Sequence, residues 1–200
     1  MFGDGVLSIA NPTDEERRQA ETRASESSRR SWLLGRIGVR LAIANYTHRD
    51  PVAIRIDVAP NGKPFLADDC GLFFNISHSG QTVAAAIAAL PVGFDVEVTG
   101  RVRDVRGIAN RFFHPDEARA ISESSAGRES LFLRMWTAKE SMLKLSGDGL
   151  AGGLEKARIR SDETGTLDGR QVFLRNFPLA NGIGTVASHS PIKITRNQSI

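Results

Sequence analysis

Apolar residues recur at helical spacing in two long stretches of the chain. In the first, Trp32, Leu33, Ile37, Leu41 and Ala44 predict an amphipathic helix from about Ser28 to Ala44, buried along one side and sending Arg29, Arg36 and Arg40 elsewhere. In the second, Leu131, Met135, Ala138, Met142 and Leu145 form one stripe, widened by Trp136 and Leu143 and stopped by Gly147 and Gly149. Glu140 and Lys144 lie four apart on a different face, glutamate first, an order that suits an exposed ion pair worth roughly 0.3 kcal/mol. Shorter elements fill the intervals. Thr13 with Glu16 has the form of a capping box opening a polar helix through about Arg23. Val6 to Ala10 and Val52 to Val58 read as strands, the second alternating apolar with charged residues until Pro60-Asn61-Gly62 ends it. Leu72 to Ser79, Thr82 to Leu90 and Val92 to Glu97 are three more strands. Val102 to Phe113 and Pro115 to Ser122 read as helices, and after Gly153 the stretches Ala157–Arg160, Val172–Leu174 and Ile183–Ala187 suggest a three-stranded meander.

An internal echo crosses this pattern. Trp32 is followed four and eight residues later by Arg36 and Arg40, and Trp136 at the same distances by Glu140 and Lys144, each helix standing before a run of strands. Two related lobes facing one another would explain the echo and would place a site in the cleft between them. Two hundred residues are enough for one large domain or two small lobes, and 40% hydrophobic content with 24% charged residues describes a globular chain. The single cysteine, Cys70, excludes an intrachain disulfide and a cysteine-rich zinc cluster, and no apolar run reaches the ~20 residues of a spanning helix, which points to the cytoplasm and away from membranes. The net charge of +3 is modest, but Arg17, Arg18, Arg23, Arg29, Arg30, Arg36 and Arg40 gather early in the chain and favour an anionic partner.

Three constellations could carry chemistry. Asp95 and Glu97, two apart in an apolar strand, share a face, and such paired carboxylates either line a solvated edge or hold a divalent cation such as Mg²⁺. Ser77-His78-Ser79-Gly80 offers hydroxyls, an imidazole and a flexible residue for a phosphate, or is simply a polar turn. Gly62-Lys63-Pro64 lacks the spacing of a P-loop but could wall a ligand with a cation and a rigid ring. No nucleophile elbow of the Gly-x-Ser-x-Gly kind is present, so a serine hydrolase does not follow.

Taken together, Gly62-Lys63-Pro64, Phe74-Asn75-Ile76-Ser77-His78-Ser79, Val92-Gly93-Phe94-Asp95-Val96-Glu97, Arg111-Phe112-Phe113 with Glu117, and Trp136-Thr137-Ala138-Lys139-Glu140-Ser141 with Lys144 and Gly147-Asp148-Gly149-Leu150 resemble, in order and spacing, the motifs of the 4'-phosphopantetheinyl transferases. The likeness is to the larger, monomeric, surfactin-synthetase-activating branch. It implies an α+β fold of two pseudo-repeated lobes, residues 1–98 and 99–200, each a helix packed on a small antiparallel sheet, with the cofactor cleft between them. It also implies an enzyme that moves the phosphopantetheine arm of coenzyme A onto a serine of an apo acyl or peptidyl carrier protein, in fatty-acid, polyketide or peptide synthesis. By the same resemblance Asp95, Glu97 and Glu140 would bind Mg²⁺, with Glu140 also a candidate base. Lys144 would meet phosphate charge, with Lys139 beside it among the coenzyme A-binding residues. Lys63 and Pro64 would lie by the adenine, Ser77 and His78 by the ribose 3'-phosphate, and Arg36 with Arg29 or Arg30 by further phosphates. Two other readings stand beside this one: a basic nucleic-acid-binding module, and a non-catalytic relic that binds coenzyme A or a carrier protein.

Overall fold

The computed structural model describes residues 11–101, 104–147 and 153–194. The expected strand Val6–Ala10, the start of the helix expected from Val102, and Asp148-Gly149-Leu150 lie outside the described residues. The chain divides after Leu90 into two compact units, the second running to Lys193.

In the first unit, helix α1 (Asp14–Glu21) starts at the predicted capping box: Glu16 N–H donates to Thr13 Oγ1 at 3.1 Å, and Thr13 N–H donates to the Glu16 carboxylate at 2.8 Å. Helix α2 (Glu26–Thr47) follows, capped by Ser25 and ended by His48 in a left-handed conformation. Its apolar side, Leu34, Ile37, Val39, Ile43 and Ala44, buries against Ile54, Phe74 and Val83. Strands β1 (Ile56–Val58) and β2 (Pro64–Leu66) form one antiparallel hairpin, and β3 (Phe73–Ser79) and β4 (Thr82–Ala88) another. The alanine-rich β4 is a strand as predicted; β2 was not anticipated, because Pro64-Phe65-Leu66 is too short to show a period. Arg40 does not leave the core. Its guanidinium makes a bidentate pair with Glu16, both bonds 2.9 Å, and donates to the carbonyls of Asn11 and Pro51, so α1 and the Pro51–Ala53 turn are tied to α2 by a satisfied buried charge.

The second unit opens with β5 (Gly93–Val98). Expected to close the first lobe, this strand instead pairs along its length with β9 (Gly182–Ser188), which moves the boundary from residue 98 to residue 90. The predicted meander has four strands rather than three, β6 (Ala157–Ile159), β7 (Thr164–Leu167), β8 (Arg170–Leu179) and β9, and the antiparallel sheet runs β5-β9-β8-β7-β6 among the described residues. Helices α3 (Val105–Phe112) and α4 (Pro115–Glu123) precede the long α5 (Arg128–Ser146), which ends at Gly147 in the left-handed region, φ 89°.

Helix α5 is not a one-sided amphipathic helix. Ala138, Met142, Leu143 and Leu145 pack on the sheet with Leu154, Val172, Leu174 and Ala187, while Phe132 and Leu133 pack on α3 and α4 with Ala109, Phe113 and Ile121. Phe113, Phe132 and Trp136 stack with centroids 5.5 to 6.2 Å apart. Covered by a sheet on one side and helices on another, the middle of α5 is buried around most of its circumference, and of the pair that spacing put on a solvated face Glu140 lies inside and Lys144 is half-buried. Each unit thus packs a long helix on antiparallel strands.

Candidate active site

Strand β5 is hydrophobic on one face and acidic on the other. Phe94 and Val96 are buried, Phe94 stacking on Phe177 at 5.9 Å. Asp95 and Glu97 take the alternate positions, Asp95 only 4% exposed and Glu97 half-buried. Helix α5 comes unusually close to this strand, because position 93 has no side chain: an added Cβ there would stand 1.9 Å from the Ser141 carbonyl oxygen and 2.5 Å from the Leu145 nitrogen. That approach brings Lys144 to Asp95, Nζ to Oδ1 at 2.6 Å. The ion pair that spacing alone allows between Glu140 and Lys144 is replaced by one between helix and strand.

Glu140, 8% exposed, carries the charge left over. Its carboxyl is pushed up to about 7, first by burial and then by Asp95, with Glu97 adding to the rise and Lys144 opposing it. Asp95 and Glu97 thus favour the protonated form of Glu140, and Lys144 opposes them. Oxygen donors, excess negative charge and partial burial are what a hard divalent ion requires. The described residues do not gather three such side chains into a ready-made metal cage. Mg²⁺ fits all the same, since it commonly takes one or two protein carboxylates and fills its octahedron with water and substrate oxygens.

Lys139 turns away from this centre. Fully buried, its ammonium pairs with Glu117 Oε2 at 2.7 Å, donates to Leu154 O at 3.1 Å and to Ala157 O, and lies 5.0 Å from the centre of the Phe113 ring. Its three donors are used, so the coenzyme A contact expected of it is replaced by a role inside the fold. Glu117 is equally engaged: it caps α4 through His114 N–H at 3.1 Å and accepts from Ile159 N–H on β6 at 2.8 Å. The pattern His114-x-x-Glu117 was the available signal for this network.

The remaining candidates belong to the first unit. Ser77 and His78 lie within β3, not in the turn after it, and so point to opposite faces, Ser77 buried and His78 exposed. One phosphate is therefore not gripped by both side chains. Lys63 is half-buried, its ammonium lowered by burial, and Pro64 begins β2 opposite Val58. Arg29 is exposed and donates to Arg23 O at 3.2 Å. Arg36, in contrast to the expectation of an outward face, is only 6% exposed and rests over Trp32 at 4.9 Å, with Arg23 over the same ring at 5.5 Å. Burial lowers Arg36 from the ordinary guanidinium range, and arginine stays charged throughout.

Residues 91–182 match the family model described as the 4'-phosphopantetheinyl transferase superfamily, and residues 6–90 match the one described as 4'-phosphopantetheinyl transferase, N-terminal. A 4'-phosphopantetheinyl transferase of Bacillus subtilis is 31% identical over 154 residues, covering 72% of this chain and 67% of the relative. The chain belongs to the 4'-phosphopantetheinyl transferase superfamily. The junction of the two matches, between residues 90 and 91, is also where the compact units divide. Psf-1 of Bacillus pumilus is 34% identical over 152 residues, covering 76% of this chain and 64% of that protein. HetI of a Nostoc species is 34% identical over 128 residues, covering 62% and 54%. The chain spans from about half to two thirds of the length of these relatives. No helix among the described residues is long and apolar enough to cross a membrane.

Proposed function

We propose that this chain transfers the 4'-phosphopantetheine arm of coenzyme A to a serine of an apo carrier protein. The observation that carries the reading is the acidic centre of the second unit, Asp95 on Lys144 with Glu140 driven to about 7, set within the segment that matches the superfamily. Serine Oγ attacks the phosphorus that bears the pantetheine arm, the P–O bond to the nucleotide breaks, and adenosine 3',5'-bisphosphate leaves with the bonding pair. Glu140 takes the serine proton, directly or through a water; a carboxyl that titrates near neutrality is suited to that. Lys144 meets the charge of the transferring and departing phosphates. Asp95 and Glu97, with Glu140, would hold Mg²⁺, which when bound neutralises pyrophosphate oxygens. In the first unit Arg36, held over Trp32, supplies a fixed cation for a phosphate; Lys63 and Pro64 wall the adenine, and His78 is the exposed donor for the 3'-phosphate.

The test is mass spectrometry of several apo carrier proteins after incubation with the protein, coenzyme A and Mg²⁺. A mass gain of one phosphopantetheine arm per carrier is expected, and it should vanish in Asp95→Ala. Coenzyme A binding with no transfer to any carrier would leave only the relic, and salt-sensitive nucleic-acid binding without transfer would leave the basic module.

A further inference from the structure

We infer that Thr137, acting through Thr185 and Asn176, is a positioning residue that fixes where Glu140 stands against β5; the inference rests on the transfer reading above. Thr137, Glu140, Ser141 and Lys144 follow one another at i, i+3, i+4 and i+7 and share one face of α5. At one end of that face Lys144 bonds Asp95 on β5. At the other, Thr137 Oγ1 lies 2.8 Å from Thr185 Oγ1 on β9, both residues fully buried. Thr185 is the direct cross-strand neighbour of Asp95, and Asn176 on β8 is the direct neighbour of Thr185 on its other side, so Asp95, Thr185 and Asn176 form a row across three strands on one face of the sheet.

The direction of the hydrogen bonds follows from one end of the row. Asn176 Nδ2 donates to the Asp162 carbonyl at 3.0 Å, which turns Asn176 Oδ1 toward Thr185; Thr185 Oγ1 donates to it at 2.7 Å, and is left to accept from Thr137. The single Thr137 proton has two acceptors in reach, Thr185 Oγ1 at 2.8 Å and the Arg134 carbonyl of its own helix at 3.2 Å, and is directed to the nearer; at its other end the chain closes on backbone in the loop before β7. The chain is buried at its Thr137–Thr185 end and reaches the surface at Asp162, and linked hydrogen bonds of this kind hold their members more firmly than isolated hydroxyl contacts do.

The two ends of the helix face differ in what the reaction asks of them. Lys144 and Asp95 are the groups that charged ligands compete for, so their bond is the one that loosens when the site fills. The Thr137 end touches no ligand in the reading above and keeps its bonds throughout. Glu140 lies one helical turn from it and inherits its position.

The test compares Thr137→Val, which keeps shape and removes the hydroxyl, with Thr137→Ser, which keeps the hydroxyl. With saturating coenzyme A and carrier, Thr137→Val should lower kcat by about 10- to 100-fold with the KM for coenzyme A changed less than about 2-fold, and Thr137→Ser should stay within about 3-fold of wild type. Asn176→Leu, which breaks the same chain from its far end, should reproduce the loss, and the double variant should lose no more than either alone. If Thr137→Val does not fold, Asn176→Leu carries the comparison. A serine variant as slow as the valine one, additive losses, or a fall in kcat that merely tracks the folded fraction would overturn the inference. Should wild type modify no carrier, the transfer reading fails, and amide hydrogen exchange at residues 138–141 decides the anchor separately: faster in Thr137→Val than in Thr137→Ser supports it, and equal rates overturn it.

Discussion

At the scale of single residues, the protonation of Glu140 is the most direct consequence of the site. A carboxyl at about 7 in the folded chain against an ordinary 4.5 binds a proton more tightly folded than unfolded. That contribution to stability is fully present below about 4.5 and is lost as the pH rises through about 7. In metal-free buffer the melting temperature should therefore fall between pH 5 and pH 8, with a loss of at most about 3 kcal/mol, and Glu140→Gln should flatten the curve. At pH 8 Mg²⁺ should raise the melting temperature of wild type and leave Asp95→Ala unmoved. A metal-free curve that does not fall would mean that Glu140 stays ionised. Lys139 gives the contrasting case. Were it a coenzyme A ligand, Lys139→Met would raise a KM and leave stability alone; held as it is by Glu117 and two carbonyls, its loss strands a buried carboxylate and should cost about 3–5 kcal/mol in urea unfolding. In the sequence, spacing related Glu140 to Lys144 and Asp95 to Glu97, and only the resemblance to the family joined the two pairs; Lys139 beside Glu140 looked equally available. Which of two adjacent lysine and glutamate side chains faces the sheet and which faces α4 depends on partners at residues 117 and 154–157, beyond any local pattern.

Among elements, the close approach of α5 to β5 decides the site's shape, and Gly93 decides the approach. Alanine there would press its Cβ into the Ser141 carbonyl and the Leu145 backbone, neither of which has a flexible end to yield. Gly93→Ala should destabilise by about 1–3 kcal/mol or more, and where folded should part Lys144 from Asp95. Thermal unfolding read together with the Lys144 ammonium resonance checks both halves, and an unchanged melting temperature would contradict the packing. The elements missed from the sequence have a common cause. Strands β2 and β7 are Pro64-Phe65-Leu66 and Thr164-Gly165-Thr166-Leu167, too short and too poor in large apolar residues to announce themselves. In β7 the poverty has a packing reason, since a Cβ at Gly165 would stand 2.8 Å from the Arg158 carbonyl oxygen of β6 and 2.9 Å from the Met142 sulfur of α5. Periodicity likewise found α5 but mistook its surroundings: a stripe analysis supposes one covered side, and this helix has a sheet against one side and two helices against another.

For the whole molecule, the fold class was legible and the partition less so. The α+β alternation of helices and strands shows in the apolar pattern, and Trp32 and Trp136 mark the two long helices. That Gly93–Val98 pairs with Gly182–Ser188 across more than eighty residues and packs under α5 has no local signature, and it puts this strand in the unit that begins at residue 91. The charge distribution supports a prediction at this scale. Arg17, Arg18, Arg29 and Arg30 on the first two helices and Arg23 in the turn between them are exposed in a chain with net charge +3, although Arg18 is partly neutralised by Glu15 at 2.6 Å. On the proposed reaction the protein substrate is a carrier, and an acidic one would be steered by this surface before any contact forms. At saturating coenzyme A, kcat/KM for such a carrier should fall steeply as salt is raised from about 0.05 to 0.5 M, because the Debye length shrinks from beyond 10 Å to under 5 Å, whereas kcat should hold. Reversing Arg17 and Arg23 to glutamate should lower kcat/KM at low salt and remove most of its salt dependence. If the reversed protein keeps the wild-type salt slope, steering lies elsewhere on the molecule, and these arginines serve the fold or the nucleotide phosphates instead.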